Sequence, residues 1–406
     1  MALQRCTALS PEEFRSSVLG RSHLHTRAAE LKEGFADLFS PEALEELISS
    51  GLRTSSLRLV RDGVERAVDK GCVPEPGDTP GAAPFPSTDG LRAGLAAGQT
   101  LIVRSLHRYH APIRRFAHEL AAELGQPVKV NAFVTPPGSQ GVDLHFDVQD
   151  VIVLQIHGDK RWVLRRQPIR DPLPAHAWFD IPDRRREELR SASEPLDDLV
   201  LEAGDTLYLP RGTLHSPMAR EVLSIHLTLA ITRTTHHDLL TELVRQAVDD
   251  DWLRAAVDPD ALDADPGPAR SILVEAAGRL AAVAAEVPVG DLLWAVRKAT
   301  FREQTPEPVP VLPASGDGPA AGGHRLRDGA HFHTAPAHDG LMLSVGSRRA
   351  QLPAVVEPFL RALRRDPVLD TDRLAAVLGE DGARAVAKAL VDMGLLLPPA
   401  GPPGRA

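Results

Sequence analysis

A run of short strands between about residues 100 and 231 is the feature that most constrains the fold of this chain. Apolar stretches alternate there with turns that contain Gly or Pro, as in "TLIVRSL", "PVKVNAFVTPPG", "DLVLEAGDTLYLPRG" and "EVLSIHLTLAI". Many short strands joined by such turns are typical of a β-barrel or β-sandwich. The pattern also predicts a hairpin, in which "QDVIVLQI" pairs with "RWVLRR" around residues 157–160.

Helical and loop segments surround these strands. "SPEEFRSSVL" and "SPEALEELISSG" each predict a helix that begins after a serine N-cap, at Ser10 and at Ser40. Residues 73–90 are rich in Pro and Gly and predict a long loop of the kind that often binds substrates. After Thr235 the spacing of apolar residues becomes helical. The last segment predicts two helices and a short strand, as in a small winged-helix-like unit.

Four parts are therefore expected. Residues 1–235 would hold the barrel with its N-terminal helices, and residues 236–304 would be helical. Residues 305–323, rich in Pro, Gly and Ala, would be a linker. Residues 324–406 would form the winged-helix-like unit.

Composition excludes several classes of protein. Cys6 and Cys72 are the only cysteines among 406 residues, which excludes a disulfide framework and suits a reducing cytoplasm. No stretch approaches the roughly 20 apolar residues of a membrane span, and no apolar signal core follows the start. The net charge of −9, and 11 Arg/Lys against 9 Asp/Glu from Ala320 onward, do not favour nucleic-acid binding. We expect a cytoplasmic protein that binds neither membrane nor nucleic acid.

His-x-Asp pairs are the first candidates for a metal site. The chain contains three: His145 with Asp147, His157 with Asp159, and His236 with Asp238. The second pair lies in a predicted turn, and the third opens a predicted helix, where an aspartate favours the helix dipole. The first pair lies at the entrance of a strand, where a period of two directs both side chains to one face. We therefore expect His145 and Asp147 to be ligands.

A third ligand is predicted from "GDTLYLPRGTLH", residues 204–215. The segment fits Gly-x5-Pro-x-Gly-x2-His, in which a strand, a tight turn at Pro210 to Gly212 and a return strand at His215 follow one another. Two histidines and one carboxylate form the facial triad of non-haem Fe(II) oxygenases, which leaves three coordination positions open. The sequence thus predicts Fe(II) at His145, Asp147 and His215, although zinc or manganese also suits such ligands.

A cosubstrate site is predicted beside this triad. Chelation of iron by 2-oxoglutarate leaves its far carboxylate in need of a cation, and Lys160, one of six lysines, follows His145 by 15 positions. The alternative is a solvated turn lysine, because arginines surround it. Asn131 precedes His145 by 14 positions and would either contact the cosubstrate or be a satisfied core amide.

"SIHLTLA" places Ser224, His226 and Thr228 on one face of a strand. Inside a small barrel this polar face would line the site and make Ser224 a candidate cosubstrate contact. On the outside of the barrel it would be solvated. His226 would be either a fourth neighbour of the metal or a hydrogen-bonded core histidine.

Taken together, "VNAFVTPPGSQGVDLHFDVQDVIVLQIHGDKRWVL", "LEAGDTLYLPRGTLHSP" and "SIHLTL" resemble the JmjC-type cupin proteins of the ribosomal oxygenase family. "LFSPEALEELISSGLRTSSLRLVRDG" and the order of the later parts resemble that family too. The resemblance implies an α+β fold: a double-stranded β-helix (cupin or JmjC jelly roll), a helical segment that dimerises, and a C-terminal winged-helix-like domain.

The resemblance also implies an activity. Members of the family are Fe(II)- and 2-oxoglutarate-dependent hydroxylases that use O2 on Arg or His side chains of ribosomal proteins. Carried over by position, the triad binds iron, Lys160 binds the 2-oxoglutarate carboxylate and Asn131 contacts the cosubstrate. No catalytic residue beyond the metal ligands is expected, and the partners would be a protein substrate and a second copy of the chain.

Other functions remain open at the level of sequence. The same chemistry could act on a peptide natural product. A non-enzymatic cupin module that binds or regulates would not need all three ligands and Lys160. Metal-dependent isomerases and sugar-modifying cupins usually carry more histidines and a glutamate in the first motif, where this chain has Asp147.

Overall fold

The structure, a computed structural model, describes residues 1–66, 68, 83–262, 266–309 and 323–399. The chain divides into two compact units, Met1–Arg233 and Thr234–Ala406. Most of the predicted loop at 73–90 and of the predicted linker at 305–323 lies outside the described residues. The four predicted parts therefore stay a prediction.

The first unit contains eleven strands within its described residues. In chain order they are β1 (Leu24–Thr26), β2 (Leu57–Arg61), β3 (Val64–Arg66), β4 (Thr100–Val103), β5 (Val128–Thr135), β6 (Asp150–His157), β7 (Lys160–Arg165), β8 (Pro195–Leu201), β9 (Thr206–Leu209), β10 (Leu214–Ala219) and β11 (Ser224–Ile231).

These strands form two antiparallel sheets. One has the order β1-β9-β6-β11-β5-β4-β2-β3, and the other has the order β10-β7-β8. Val151 and Leu207 of the larger sheet pack with Trp162 and Leu201 of the smaller sheet in one buried cluster, so the two sheets enclose a common interior. The expected barrel or sandwich is confirmed.

The smaller sheet has a register that matters for the site. β7 pairs with β10 so that Lys160 lies opposite Ala219 and Leu164 lies opposite His215. Because side chains alternate between the faces of a strand, Lys160, Trp162, Leu164 and His215 all share the face that carries the interior cluster.

Five helices accompany the sheets in the described part of this unit: α1 (Pro11–Glu13), α2 (Pro41–Ser49), α3 (Thr88–Ala96), α4 (Ala111–Leu124) and α5 (Asp183–Ala192). The predicted serine caps are confirmed, since Ser10 forms a capping box with Glu13 and the Ser40 hydroxyl accepts from the Ala43 N–H. α4 lies against β5 and covers its outer face. The opposite face of β5 therefore looks into the interior.

The predicted hairpin around residues 157–160 is wrong. β6 pairs with β9 and β11, whereas β7 pairs with β8 and β10, so the two consecutive strands belong to different sheets. Gly158, at a φ of +63°, turns the chain from one sheet to the other, and a Cβ there would collide with the Leu223 carbonyl oxygen. Alternating hydrophobicity marks the buried face of a strand but does not identify its neighbour.

The second unit begins with helices and ends with small sheets. Its helices are α6 (His236–Gln246), α7 (Asp251–Arg254), α8 (Pro266–Glu286), α9 (Val289–Thr300), α10 (Glu357–Ala362) and α11 (Thr371–Asp392). Its strands are β12 (Arg325–Leu326), β13 (Phe332–Ala337), β14 (Gly340–Val345), β15 (Arg348–Leu352) and β16 (Leu396–Leu397).

The helices and the closing strand of this unit were predicted, but the β13-β14-β15 sheet was not. α11 also has a kink, because Gly379 adopts a φ of +74° inside it. Among the described helices of the chain, none combines the length and the apolarity that crossing a bilayer demands.

We expect Gly158→Ala to lower the free energy of unfolding by about 2 to 4 kcal/mol, because it adds crowding to an unfavourable backbone conformation. Gly63→Ala is the matched control: Gly63 also has a positive φ, but no described atom lies within 4 Å of a Cβ added there, so a loss of about 1 kcal/mol is expected. Urea unfolding followed by circular dichroism measures both. Equal losses would contradict the crowding at Leu223.

Candidate metal centre

A short antiparallel bridge brings the segment of His145 and Asp147 next to the segment of His215. The segment that precedes β6 pairs with the start of β10: the His145 N–H donates to the His215 carbonyl at 3.1 Å, and the His215 N–H donates back at 2.8 Å. The Gly212 N–H also donates to the Asp147 carbonyl at 2.9 Å. Residues 70 positions apart thus become direct neighbours on two bonded strands.

The side chains of His145, Asp147 and His215 converge. One potential ligand atom of each lies within 4.8 Å of the others, and the two imidazole centroids are 4.3 Å apart. His215 Nε2 lies 3.7 Å from an Asp147 carboxylate oxygen. Within the described part of the chain, this trio is the one cluster of three or more such groups that could hold a metal.

Backbone carbonyls fix the orientation of both imidazoles. His145 Nδ1 lies 2.7 Å from the Asp143 carbonyl oxygen, and His215 Nδ1 lies 3.0 Å from the Thr213 carbonyl oxygen. A carbonyl oxygen only accepts, so Nδ1 carries the proton in the neutral form of each ring, and Nε2 then keeps its lone pair. Both rings therefore present the atom that a metal would bind.

Burial also favours the neutral form of His145. His145 is 8% exposed, and burial, followed by the nearby charge of His215, lowers its pKa to about 4. The imidazole is therefore neutral at physiological pH, as a metal ligand must be. The Asp147 side chain, by contrast, is 39% exposed. Two buried nitrogens and one accessible carboxylate oxygen fit a divalent ion with coordination positions open to other ligands.

The other two His-x-Asp pairs have structural roles, as expected. His157 is exposed, and the Asp159 carboxylate accepts from Arg220 at 2.6 Å. Asp238 is part of a capping box with Thr235 at the start of α6.

Lys160 lies inside the barrel. It is 2% exposed, and its Nζ donates to the Thr135 hydroxyl at 2.7 Å and lies 3.3 Å from His226 Nδ1. Burial lowers the pKa of Lys160 to about 7. The alternative of a solvated turn lysine is wrong, and neither of the two hydrogen-bonding neighbours of this ammonium is a carboxylate.

The polar face of β11 also points inward. Ser224 and His226 are buried, so the solvated alternative for this face is wrong. The Ser224 hydroxyl accepts from Gln155 Nε2 at 2.9 Å. His226 is not part of the trio that could hold a metal.

Asn131 lies on β5, on the same face as Phe133 and Thr135. It is half-buried, and its side-chain oxygen accepts from the Ser105 N–H at 2.9 Å. An amide oxygen has two lone pairs, so a ligand could use either the second of these or the amide nitrogen.

Three interior residues were missed by the sequence reasoning. Thr135 links Lys160 to the Thr100 hydroxyl, which lies 3.1 Å away. The Trp162 indole nitrogen and the Gln155 side-chain oxygen are buried and have no hydrogen-bond partner among the described residues. The alternation of β5 gives a signal for Thr135, because it shares the face of Asn131.

A surface groove of about 440 Å³ adjoins the trio. Phe179 lines it with 60% of its surface exposed, and its ring centroid is 6.1 Å from that of His145. Asp143, whose carbonyl orients His145, and Arg190, which pairs with Asp143 at 3.0 Å, line the same groove. The groove therefore lies beside His145, although none of the three residues of the trio lines it.

Known proteins resemble the chain in the region of this centre. Residues 107–239 match the family described as "JmjC domain". Over 122 residues the chain is 37% identical to the bifunctional lysine-specific demethylase and histidyl-hydroxylase NO66 of Drosophila mojavensis, a match that covers 30% of this chain and 13% of the relative. Over 154 residues it is 34% identical to ribosomal oxygenase 1 of Rattus norvegicus, covering 37% and 25%. The matches span a quarter or less of these relatives' length.

Solved structures resemble the chain over most of its length. Escherichia coli YcfD matches with a TM-score of 0.55 and 18% identity, covering 96% of this chain and 98% of that one. YcfD described as a ribosomal oxygenase in complex with cobalt and 2-oxoglutarate matches with a TM-score of 0.54 and 17% identity, with the same coverage. At this identity the likeness shows the fold. Residues 107–239 therefore match a JmjC domain with the cupin fold, and the chain is similar to ribosomal oxygenases.

Proposed function

We propose that this chain is an Fe(II)- and 2-oxoglutarate-dependent oxygenase that hydroxylates an amino-acid side chain of a protein, with an Arg or His of a ribosomal protein as the target. The observation that carries the proposal is the convergence of His145, Asp147 and His215 within 4.8 Å, with both Nδ1 atoms held by carbonyls. The names of the relatives support the substrate class.

The protein residues would have distinct tasks. Bound iron, with 2-oxoglutarate and O2, supplies the oxidising chemistry that replaces a C–H bond by C–OH. His145, Asp147 and His215 would hold the metal. Lys160 pairs with the far carboxylate of the cosubstrate inside the barrel, where burial strengthens the attraction.

Two further contacts to the cosubstrate belong to the proposal. Asn131 would use its amide nitrogen, because a carboxylate needs a donor and the side-chain oxygen, which accepts from the Ser105 N–H, cannot donate. Ser224 would donate its hydroxyl proton, because its oxygen already accepts from Gln155. The substrate would approach along the groove beside Phe179.

A protein substrate fits the charge of the chain. The net charge of −9 would attract basic proteins, as ribosomal proteins are, and such steering increases association rates. A cytoplasmic location, which the small number of cysteines suits, belongs to the same proposal.

We also propose that residues 236–304 dimerise and that residues 324–406 form a winged-helix-like domain. α6 exposes Leu240 and Val244, and Val248 follows just after it at the same spacing of four, each 57% exposed. Residues spaced by four share one face of a helix, so this segment presents an apolar stripe of the kind that a second copy would cover. In the last segment, α10 and α11 pack with the β14 strand in one core.

The main test is mass spectrometry of purified ribosomes after incubation with the Fe(II)-loaded protein and 2-oxoglutarate. One ribosomal protein is expected to gain the mass of one oxygen atom, with release of succinate. His145→Ala and Asp147→Ala should abolish both signals and weaken Co²⁺ binding more than about 100-fold, because even the loss of an outer hydrogen bond to a ligand costs 10- to 100-fold.

His157→Ala is the matched control, because it removes an exposed histidine from the neighbouring His-x-Asp pair and should behave like the parent. Triad variants that turn over 2-oxoglutarate like the parent would refute the assignment of the centre. Succinate release without oxidation of any ribosomal protein would support the 2-oxoglutarate-dependent activity but refute a ribosomal protein as the substrate.

We expect 2-oxoglutarate to bind less tightly as the pH rises above about 7, because only the charged Lys160 pairs with a carboxylate and burial lowers its pKa to about 7. Each pH unit above that value should cost up to about tenfold in affinity. Lys160→Arg should remove this pH dependence, since a guanidinium stays charged. Calorimetric titration of the Co²⁺-loaded protein between about pH 6.5 and 9 measures both, and an unchanged affinity in the parent would contradict the prediction.

The double variant Leu240→Lys/Val244→Lys is expected to convert a dimer into a monomer, because it places two like charges on each copy of the stripe. Light scattering after size exclusion measures the mass. Val377→Lys is the control: Val377 is 52% exposed on α11, outside the stripe, and its replacement should leave the dimer intact. A monomeric parent would refute the dimer but not the activity.

A further inference from the structure

His226 occupies a defined place in the barrel that neither metal binding nor simple packing explains. It is 2% exposed on β11. Phe133 stacks on its ring with centroids 4.8 Å apart and planes within 2°, and Trp162 packs edge-on against it at 5.5 Å. Two aromatic neighbours therefore fix the plane of the imidazole and the direction of its nitrogens.

One of those nitrogens faces a cation. His226 Nδ1 lies 3.3 Å from Lys160 Nζ. In its charged form the Lys160 ammonium has donors only, so Nδ1 then accepts and the proton of the neutral ring lies on Nε2. The ring is also uncharged: burial first, and then the charges of Lys160 and His215, hold the pKa of His226 well below its usual range.

The hydrogens of the Lys160 ammonium can then be assigned. One points to the Thr135 hydroxyl at 2.7 Å, and a second points to His226 Nδ1. Thr135 is itself held by the Thr100 hydroxyl and is fully buried. An ammonium has three N–H donors. Two are tied to the barrel wall, and their positions determine the direction of the third.

We infer that His226 is a positioning residue: its neutral imidazole, together with Thr135, holds two hydrogens of the Lys160 ammonium so that the third points at the far carboxylate of a dicarboxylate cosubstrate. This inference rests on the proposed function. His226 also supplies an acceptor to a charge that is otherwise buried with a single hydroxyl, and a buried charge without acceptors is costly.

A packing role and a positioning role predict different results. Leucine fills a similar volume but cannot accept a hydrogen bond. Asparagine keeps an acceptor near the position of Nδ1 but loses most of the ring. Packing alone would favour leucine over asparagine, whereas positioning favours asparagine.

The test is calorimetric titration of 2-oxoglutarate into the Co²⁺-loaded full-length protein. His226→Leu is expected to weaken binding by about tenfold or more, the loss typical of a hydrogen bond to a charged group. His226→Asn should stay within about threefold of the parent. Both variants should bind Co²⁺ like the parent, since His226 is outside the metal-binding trio, and His157→Ala is the control for replacement of a histidine.

A second measurement reads the protonation of the ring in the parent protein. The protein is labelled with ¹⁵N-histidine, loaded with diamagnetic Zn²⁺ and 2-oxoglutarate, and studied by NMR; the signal that disappears in His226→Asn belongs to His226. This histidine should show an unprotonated Nδ1 and a protonated Nε2. The pattern is expected to persist across neutral pH, because the pKa of His226 is held well below that range.

Three outcomes would overturn the inference while leaving the proposed function intact. Binding by His226→Leu that equals that of the parent would remove any role for the imidazole. A folded His226→Asn, judged by its melting curve, that binds as weakly as the leucine variant would assign a packing role. A protonated Nδ1 would contradict the hydrogen bond. If the parent itself bound no 2-oxoglutarate, the proposed function would fail, and the inference would fail with it.

Discussion

The reciprocal pair of backbone hydrogen bonds between His145 and His215 is the interaction on which the site depends. The bridge stands apart from the longer strand pairings, between the approach to β6 and the start of β10. Because closely spaced antiparallel pairs hold opposite residues at a nearly constant separation, the bridge determines the distance between the two imidazoles. Asp147 follows two residues later and therefore lies on the same face.

The surroundings of this bridge are arranged in regions of different polarity. Apolar side chains such as Val151, Leu164 and Leu207 pack together between the sheets. Lys160, Thr135, Ser224 and His226 occupy another part of the interior, where each of these four side chains has a hydrogen-bonding neighbour. Such a network is stable in a low-dielectric interior only when its members satisfy one another. The barrel can thus bury an ammonium with a hydroxyl and an imidazole as its hydrogen-bonding neighbours.

The convergence of His145, Asp147 and His215 could be predicted from sequence because its geometry is mostly local. His145 and Asp147 are two residues apart on an extended strand, and the Pro210–Gly212 turn before His215 leaves few conformations. The barrel or sandwich class could be predicted as well, because short apolar stretches and Gly or Pro turns are also visible locally in the sequence. The position of Lys160 could be proposed, but its burial could not, because burial depends on which sheet β7 joins, and the predicted pairing of β6 with β7 was wrong.

Other features lay beyond sequence reasoning for physical reasons. The contact between His226 and Lys160 joins two strands of different sheets, and no periodicity along one strand encodes it. The alternation of β5 places Thr135 on the face of Asn131, but its contact with Lys160 also depends on which sheet β7 joins. The β13-β14-β15 sheet was missed because its strands alternate weakly, with half-buried residues at many positions.

The register between β7 and β10 determines how far apart Lys160 and His215 lie along the strands. Lys160 stands opposite Ala219, four residues along β10 from His215, so the backbone positions of Lys160 and His215 differ by roughly 13 Å along the strands. Under the proposed function, a ligand that contacts both Lys160 and the metal must span this interval less the reach of the two side chains. A slip of two residues would change the interval by roughly 7 Å, so the pairing of these strands limits the length of an acceptable ligand.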